Sequence, residues 1–546
     1  MVRWCLQGLG SVFFSRPAND DQEAMVTSYL SRSNLKIVQY CATKHVNRHV
    51  RAAALAFLTT VCDLKASVSI SESSNEFIEF SSFYDACTEV LTDSLSDNWS
   101  QVRMSGSILC RSFLSCIPDS LRPKVDVALV PKMSLNRFYL AEGVRLYSQG
   151  TWKAHVPNGK DVLEKHLARV LKYYMRALDE DNHVVRESAA LAIGEAVEKL
   201  ESEIVSPHLT LLIEGVKAAF YDESWPVRDR ACVVLSRIGK RWGVTDEVWD
   251  LICSNLTDQI WSVRENAAWG IAQCCLKDRG RVDDAIQRFR KNIGNAKNEP
   301  KRSKKDVERE QNDIKLHTNT QLYSCGSLAP KLHKSANRVA GCSDCRVLRP
   351  TRVWEISDGC VYLLMHVAAE KLVDDEVVVE LIDLAVDACR WEEYVEHESL
   401  KTTVLKAFTR IVNTRPKNVF KKYYCNLFIE RTVQWCGRGG SGVGLGNLMI
   451  FEGETCLKNI MKVLGAPIFW GRVEEVCGSS GMERVQVIIG GGGPSPFGMT
   501  MPPQPPSGLR HAPLAQGVKN FQDDAVAVGT AFPKGLPKGL GFDESL

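Results

Sequence analysis

What the chain lacks narrows its class first. No apolar run reaches the roughly 18 residues that a membrane-spanning helix requires,. Neither sign of charge dominates: 68 Lys and Arg stand against 65 Asp and Glu, a formal net charge of +3. Composition therefore argues for neither nucleic acid nor a membrane surface as partner, and any such case must be local. Cysteine is not scarce, at 19, but the count is odd and the spacing forms no disulfide framework. Cys110, Cys232 and Cys274 fall on apolar positions of helical patterns, where a free thiol behaves as a small hydrophobe,. That usage fits a reducing compartment. A phosphate-binding Walker loop, a Gly-x-Ser-x-Gly elbow and a His-Glu-x2-His zinc helix are all missing,. "GRGGSGVGLG" offers glycines without a lysine–hydroxyl pair or a preceding strand, and reads as a flexible loop.

What is present is repetition. With 546 residues, 45% of them hydrophobic, the chain is long enough for several domains or one elongated array,. Asp97, Asp222 and Asp258 each stand six positions before Arg103, Arg228 and Arg264, and Glu180 holds that place before Arg186. Three positions after each arginine, and after Arg51, comes a small residue: Ala54, Gly106, Ala189, Ala231 and Ala267. Seven positions after comes Leu58, Cys110, Ile193, Leu235 or Ile271. Offsets of three and seven share one helical face. Each arginine thus opens an amphipathic helix, and the small residue admits another helix closely. The acid precedes the helix, where it can cap free amides and meet the positive end of the dipole. Pro226 suits a first turn. The anchors lie 52, 83, 42 and 36 residues apart. Val144–Arg145 falls within the long gap, but "SQGTWKAHVPNGK" looks like loop, so that unit is read as degenerate or inserted. Upstream helices such as "KDVLEKHLARVLKYYMRAL" and "SPHLTLLIEGVKAAFY" complete pairs of helices at intervals of about 40 residues, the signature of a helical solenoid,.

The Asp-x4-Val-Arg-x2-Ala pattern resembles the HEAT repeat. It fits Asp222, Val227, Arg228 and Ala231, then Asp258, Val263, Arg264 and Ala267, and it fits Asp97, Val102 and Arg103 with Gly106 in place of Ala. The resemblance implies an all-α, right-handed α-solenoid of the armadillo-like helical kind. It also implies a structural ladder of acids and arginines from neighbouring units, to which Asp97, Arg103, Arg186, Asp222, Arg228, Asp258 and Arg264 belong. Family members act mainly as carriers, scaffolds and assembly chaperones for proteins. Arg228 is expected to reach Asp258 or Glu180.

The domain plan follows from composition. Residues 1–21 form a poorly ordered leader, with a targeting peptide as the alternative, and 22–275 carry the repeats. Residues 276–352, containing "NAKNEPKRSKKDVERE", are a charged, largely disordered insertion,. Helical pairs continue over 353–477, and 478–546 form a Gly/Pro-rich disordered tail,. Lys301–Lys305 is a solvated linker or an import signal,. Cys325, His333, Cys342 and Cys345 are surface-loop residues or, at a stretch, a zinc set with only one close pair,.

These readings favour a non-catalytic scaffold or adaptor that binds protein partners on a curved repeat surface, needs no cofactor, and works in the cytoplasm, or in the nucleus if the lysine cluster is an import signal. Trp225 and Trp261 occupy equivalent places in consecutive turns. Exposed, they would suit a partner interface; otherwise each packs under its neighbouring turn. The enzyme alternatives are weaker. Metal-dependent hydroxylases of this fold, such as deoxyhypusine hydroxylase, use repeated His-Glu pairs, and this chain has only His397–Glu398. Bilin lyases of this fold are a further alternative. A nucleic-acid-associated repeat protein is the third class, supported only by "KKYY" and "GKRW", which serve equally as helix ends.

Overall fold

The arginine-led helices stack on one another, and their upstream partners form a second layer beside them. The structure, a computed structural model, describes residues 32–67, 74–301, 305, 350–436 and 445–490. The leader, the tail from 491, the cysteines at 325, 342 and 345, His333 and most of the 301–305 cluster lie outside the described residues.

Chain order alternates between the layers. α1 (Arg32–Thr43) precedes α2 (Arg48–Ser67); α3 (Ser74–Ser94) precedes α4 (Ser100–Cys116); α5 (Arg122–Asn136) precedes α6 (Glu142–His155); α7 (Gly159–Ala177) precedes α8 (His183–Lys199). After a short turn, α9 (Leu209–Phe220) precedes α10 (Trp225–Trp242), and α11 (Asp246–Ser254) precedes α12 (Trp261–Lys277). α13 (Val282–Asn292) leads to α14 (Val353–Ala369); α15 (Asp375–Ala388) to α16 (His397–Thr414); α17 (Lys417–Tyr423) and α18 (Cys425–Cys436) to α19 (Leu445–Leu464) and α20 (Ala466–Gly490). α2, α4 and α6 stack one on the next, and so do α8, α10, α12, α14, α16 and α19. The described secondary structure is all-α, a solenoid of helical pairs. Local chemistry sets the starts: Asn182 Oδ1 accepts the amide of Val184 at 3.0 Å, and Thr245 Oγ1 that of Val248 at 3.4 Å,.

The small residue at the third offset is packed, not merely tolerated. Ala54, Ala189, Ala231 and Ala267 are fully buried, and a Cβ on Gly106 would stand 2.6 Å from Ser94 Oγ. Cys110, Cys232 and Cys274 are buried too, and every described cysteine is a free thiol.

Three boundaries read from sequence need correction. The first part of the stretch read as loop, residues 148–155, is helix, the end of α6, with Val144, Ser148, Thr151 and Trp152 buried. Ser148 at the third offset and the neighbouring Thr151 are polar and hid the apolar face; Arg111 Nε donates to Thr151 Oγ1 at 2.9 Å, which meets the cost of burying it,. The insertion does not begin at 276. Val282, Ala285, Ile286 and Phe289 are buried on one side of α13, and the chain stays packed through a 3-10 stretch, Ile293–Asn298. Five charged residues in an eleven-residue helix masked that side. Nor does the tail begin at 478: Gly478 bends α20 at φ 67°, and Val485 and Ile488 are buried beyond it.

Both ends of the 302–349 segment are anchored. Glu299 Oε2 accepts the amide of Trp354 at 3.0 Å, the amide of Ala296 donates to Ser357 Oγ at 2.8 Å, and Thr351 Oγ1 donates to the carbonyl of Thr257 at 3.0 Å. α14 therefore docks on α12 as the next unit, and at Gly359 it comes so close that a Cβ would stand 1.9 Å from the Leu256 carbonyl oxygen. Backbone cannot yield as a flexible side chain can. Gly359→Ala is expected to destabilise the chain by about 1–3 kcal/mol through overpacking. Gly143→Ala, within α6 where a Cβ meets nothing within 4 Å, serves as the control and keeps or raises its Tm. An unchanged Tm for Gly359→Ala in thermal unfolding would contradict the close approach.

Candidate partner-binding face

Each repeat arginine lies in the first turn of its helix and folds back over the turn before it. Nη1 of Arg186, Arg228 and Arg264 donates to the carbonyl six residues upstream, at 2.8, 2.9 and 2.7 Å. The rest of each guanidinium faces the next unit. Arg186 grips Asp222 at 2.6 and 2.8 Å, and Arg228 grips Asp258 at 2.8 and 3.0 Å. Arg51 grips Asp97 in the same way at 2.9 and 3.2 Å. The acids are held from below as well: Oδ1 of Asp97, Asp222 and Asp258 accepts the amide two residues on, at 2.8, 2.9 and 2.9 Å. Arg228 thus joins Asp258, not Glu180, whose carbonyl is held by Arg186.

Two rungs depart from the pattern. Arg103 reaches Asn136 Oδ1 at 2.7 Å, and Asn136 in turn donates to the Leu95 carbonyl at 3.0 Å. Arg264 is only 1% exposed and bonds Asp358 at 3.0 and 2.7 Å, with Glu355 at 3.8 Å. Burial works against its charge, and these two carboxylates outweigh that and hold the guanidinium above its ordinary range. Asp358 lies within a helix rather than before one, so the spacing that exposes the other acids in the sequence does not mark it. Between α6 and α8 a different contact takes over: Arg145 ends on Leu140 and Glu142 of its own unit, and Arg137 joins Glu195 while stacking on Trp152 at 4.4 Å.

The repeated arginine with its helix pair and inter-unit acid decides the class. The described residues form an all-α solenoid of HEAT-like helical pairs. No family model matches it, and no curated protein matches it significantly. Among solved structures the chain is similar to the karyopherin Kap121p bound to the extreme C-terminus of the protein phosphatase Cdc14p, with TM-score 0.45, 11% identity, and coverage of 89% of this chain and 45% of that one. Importin beta gives TM-score 0.35, 11% identity, 89% and 61%; an engineered protein gives 0.27, 12%, 90% and 95%. The chain spans less than two thirds of the karyopherin and importin chains. None of these likenesses bears on activity or partners.

A second line of charge runs beside the ladder. Each of three consecutive arginines is followed by an acid: Glu187, Asp229 and Glu265. Burial pushes the Glu187 carboxyl up against the opposing pull of Arg230, and it pushes Glu265 up against that of Lys406. Asp229 is fully buried and accepts from Asn266 Nδ2 at 2.7 Å. Lys406 of α16 also acts on Glu452 of α19, another carboxyl raised by burial. Lys406 therefore sits between acids of α12 and α19, with its Nζ 5.7 Å from the Trp261 ring. The arginine–acid dipeptide was the available signal for Glu265; nothing in the sequence singles out Lys406 or Glu452.

The two tryptophans differ despite equivalent positions at the first residues of α10 and α12. Trp261 is 39% exposed, whereas Trp225 is half-buried and packed against the core. Phe451 of α19 is also exposed. Among the described residues no group of three or more His, Cys, Asp or Glu is arranged to hold a metal, and His397 and Glu398 open α16.

His366 of α14 supplies a pH response. Its Nε2 is sealed from solvent and has no hydrogen-bond partner among the described residues. Burial, with the Arg410 guanidinium, pushes its pKa down to about 3. The folded chain keeps the ring neutral while the unfolded chain protonates it near pH 6.5. Stability from this group is complete above that pH and falls as the pH drops toward 3. Between pH 6.5 and 5 the loss is about 2 kcal/mol. His366→Leu is expected to flatten the pH dependence of urea-unfolding stability over that range, and an unchanged slope would contradict the assignment.

Proposed function

We propose that the chain is a non-catalytic scaffold or adaptor that binds protein partners on the arginine-layer face. The observation that carries this reading is Trp261: a large, rigid indole left exposed on a stacked helix, beside half-buried carboxylates and Lys406. Aromatic anchors next to polar groups of limited hydration match the composition of protein interfaces. Stacked units hold such groups in fixed relation, since each repeat is ordered by its neighbours. Trp225, packed against the core, supports its own turn and contributes at most an edge to a contact. The free, mostly buried thiols fit a cytoplasmic or nuclear setting,.

Affinity purification of the full chain followed by mass spectrometry tests this reading. The expected result is one defined protein assembly, depleted when Trp261→Ala replaces the parent. Truncating an interface anchor weakens binding by about 1 kcal/mol or more, while an exposed position changes folding stability by about 0.5 kcal/mol or less. Equal recovery by both proteins would remove the face from consideration. A stoichiometric bound metal in the purified chain would favour the hydroxylase-like alternative instead.

A further inference from the structure

On the opposite layer, α7 carries a line of positive charge. Lys165, Arg169, Lys172 and Arg176 are all exposed, at offsets of four, seven and eleven from the first. Those offsets place them on one helical face along about 16 Å. The other face of α7 is its buried side, with Leu163, Leu167, Val170, Leu171 and Tyr174. Among the described residues none of the four cations takes part in an ion pair, although exposed lysines and arginines elsewhere in the chain are commonly paired, as Lys124 is with Asp85 and Arg290 with Glu380. The line is therefore available to an outside acid.

Beside the line lies an open depression of about 560 Å³ between α7 and α9. Ala168, Met175 and Leu211 give it an apolar lining, and Lys172 and Arg176 stand at its rim with Asp179 and His208. Leu211 is 46% exposed among the described residues. Met175 contributes a flexible, polarizable surface that adapts to different apolar groups.

We infer that this face docks an acidic amphipathic segment of a protein partner, its carboxylates along Lys165, Arg169, Lys172 and Arg176 and one apolar side chain in the depression. Charge complementarity sets the register and speeds association, and the recess supplies the apolar anchor. A nucleic-acid backbone would use the cations and leave the recess empty. A membrane would need apolar groups that project, whereas these line a hollow. The inference rests on the reading of the chain as a protein-binding scaffold, but uses a different layer from Trp261.

Fluorescence anisotropy with the full chain tests it. The probe is a fluorescein-labelled synthetic peptide with Glu and Leu alternating at helical spacing. The expected result is salt-sensitive binding, weakened about tenfold or more by the double change Arg169→Glu and Lys172→Glu, and weakened also by Leu211→Glu. The Tm should hold in each case; Arg169→Gln with Lys172→Gln provides a milder variant should the reversal disturb folding. Trp261→Ala should leave peptide binding unchanged, so failure here is separable from failure of the arginine-layer reading. Absence of peptide binding, or binding indifferent to the α7 and Leu211 variants, would overturn the inference. So would tighter binding of a duplex DNA or of phosphatidylserine vesicles through the same cations.

Discussion

An arginine that bonds backward to its own turn and forward to its neighbour's acid is the contact on which the array depends. In Arg228 the backward bond goes to the Asp222 carbonyl and the forward pair to the Asp258 carboxylate. Asp222 meanwhile receives Arg186 and its own turn amide. Along Arg186, Asp222, Arg228 and Asp258 each charged group is met by another that is itself held. A buried guanidinium left without such partners would cost more than the pair gains. In a solenoid, where each unit touches little beyond its neighbours, this contact also sets the coupling between units.

The ladder explains how the chain survives a long excursion. Arg264 and Asp358 are 94 residues apart in sequence yet form one rung. Glu299, Ser357 and Thr351 fasten the two sides of the gap, and Gly359 permits the approach. The helices after the excursion therefore extend the same layer, and Lys406 and Glu452 come to stand near Trp261 and Glu265. The face read as a partner surface exists only because the stack continues across that gap.

Legibility in the sequence followed locality. Asp222, Arg228, Asp258 and Arg264 stand out because a turn of fixed geometry needs the same spacing every time. Asp358 does not, since it reaches Arg264 from within a helix after an unrelated stretch of chain. The unit at 142–155 was obscured because Ser148 and Thr151 are buried with hydrogen-bond partners in place of apolar atoms. α13 was obscured because a helix needs only one apolar side, and charge on the others lowers the average. Trp225 and Trp261 share a sequence position, but their exposure depends on what packs around each turn, which no local pattern records.

The most direct measurement is a double-mutant cycle on Arg228 and Asp258 by urea unfolding. Arg228→Ala should cost about 1–3 kcal/mol, less than a fully buried pair would. The double change should be less damaging than the two single changes added together, with a coupling of about 0.5–3 kcal/mol. Strict additivity, or an unaltered stability for Arg228→Ala accompanied by loss of partner binding, would contradict the ladder as the framework and make Arg228 a contact residue instead.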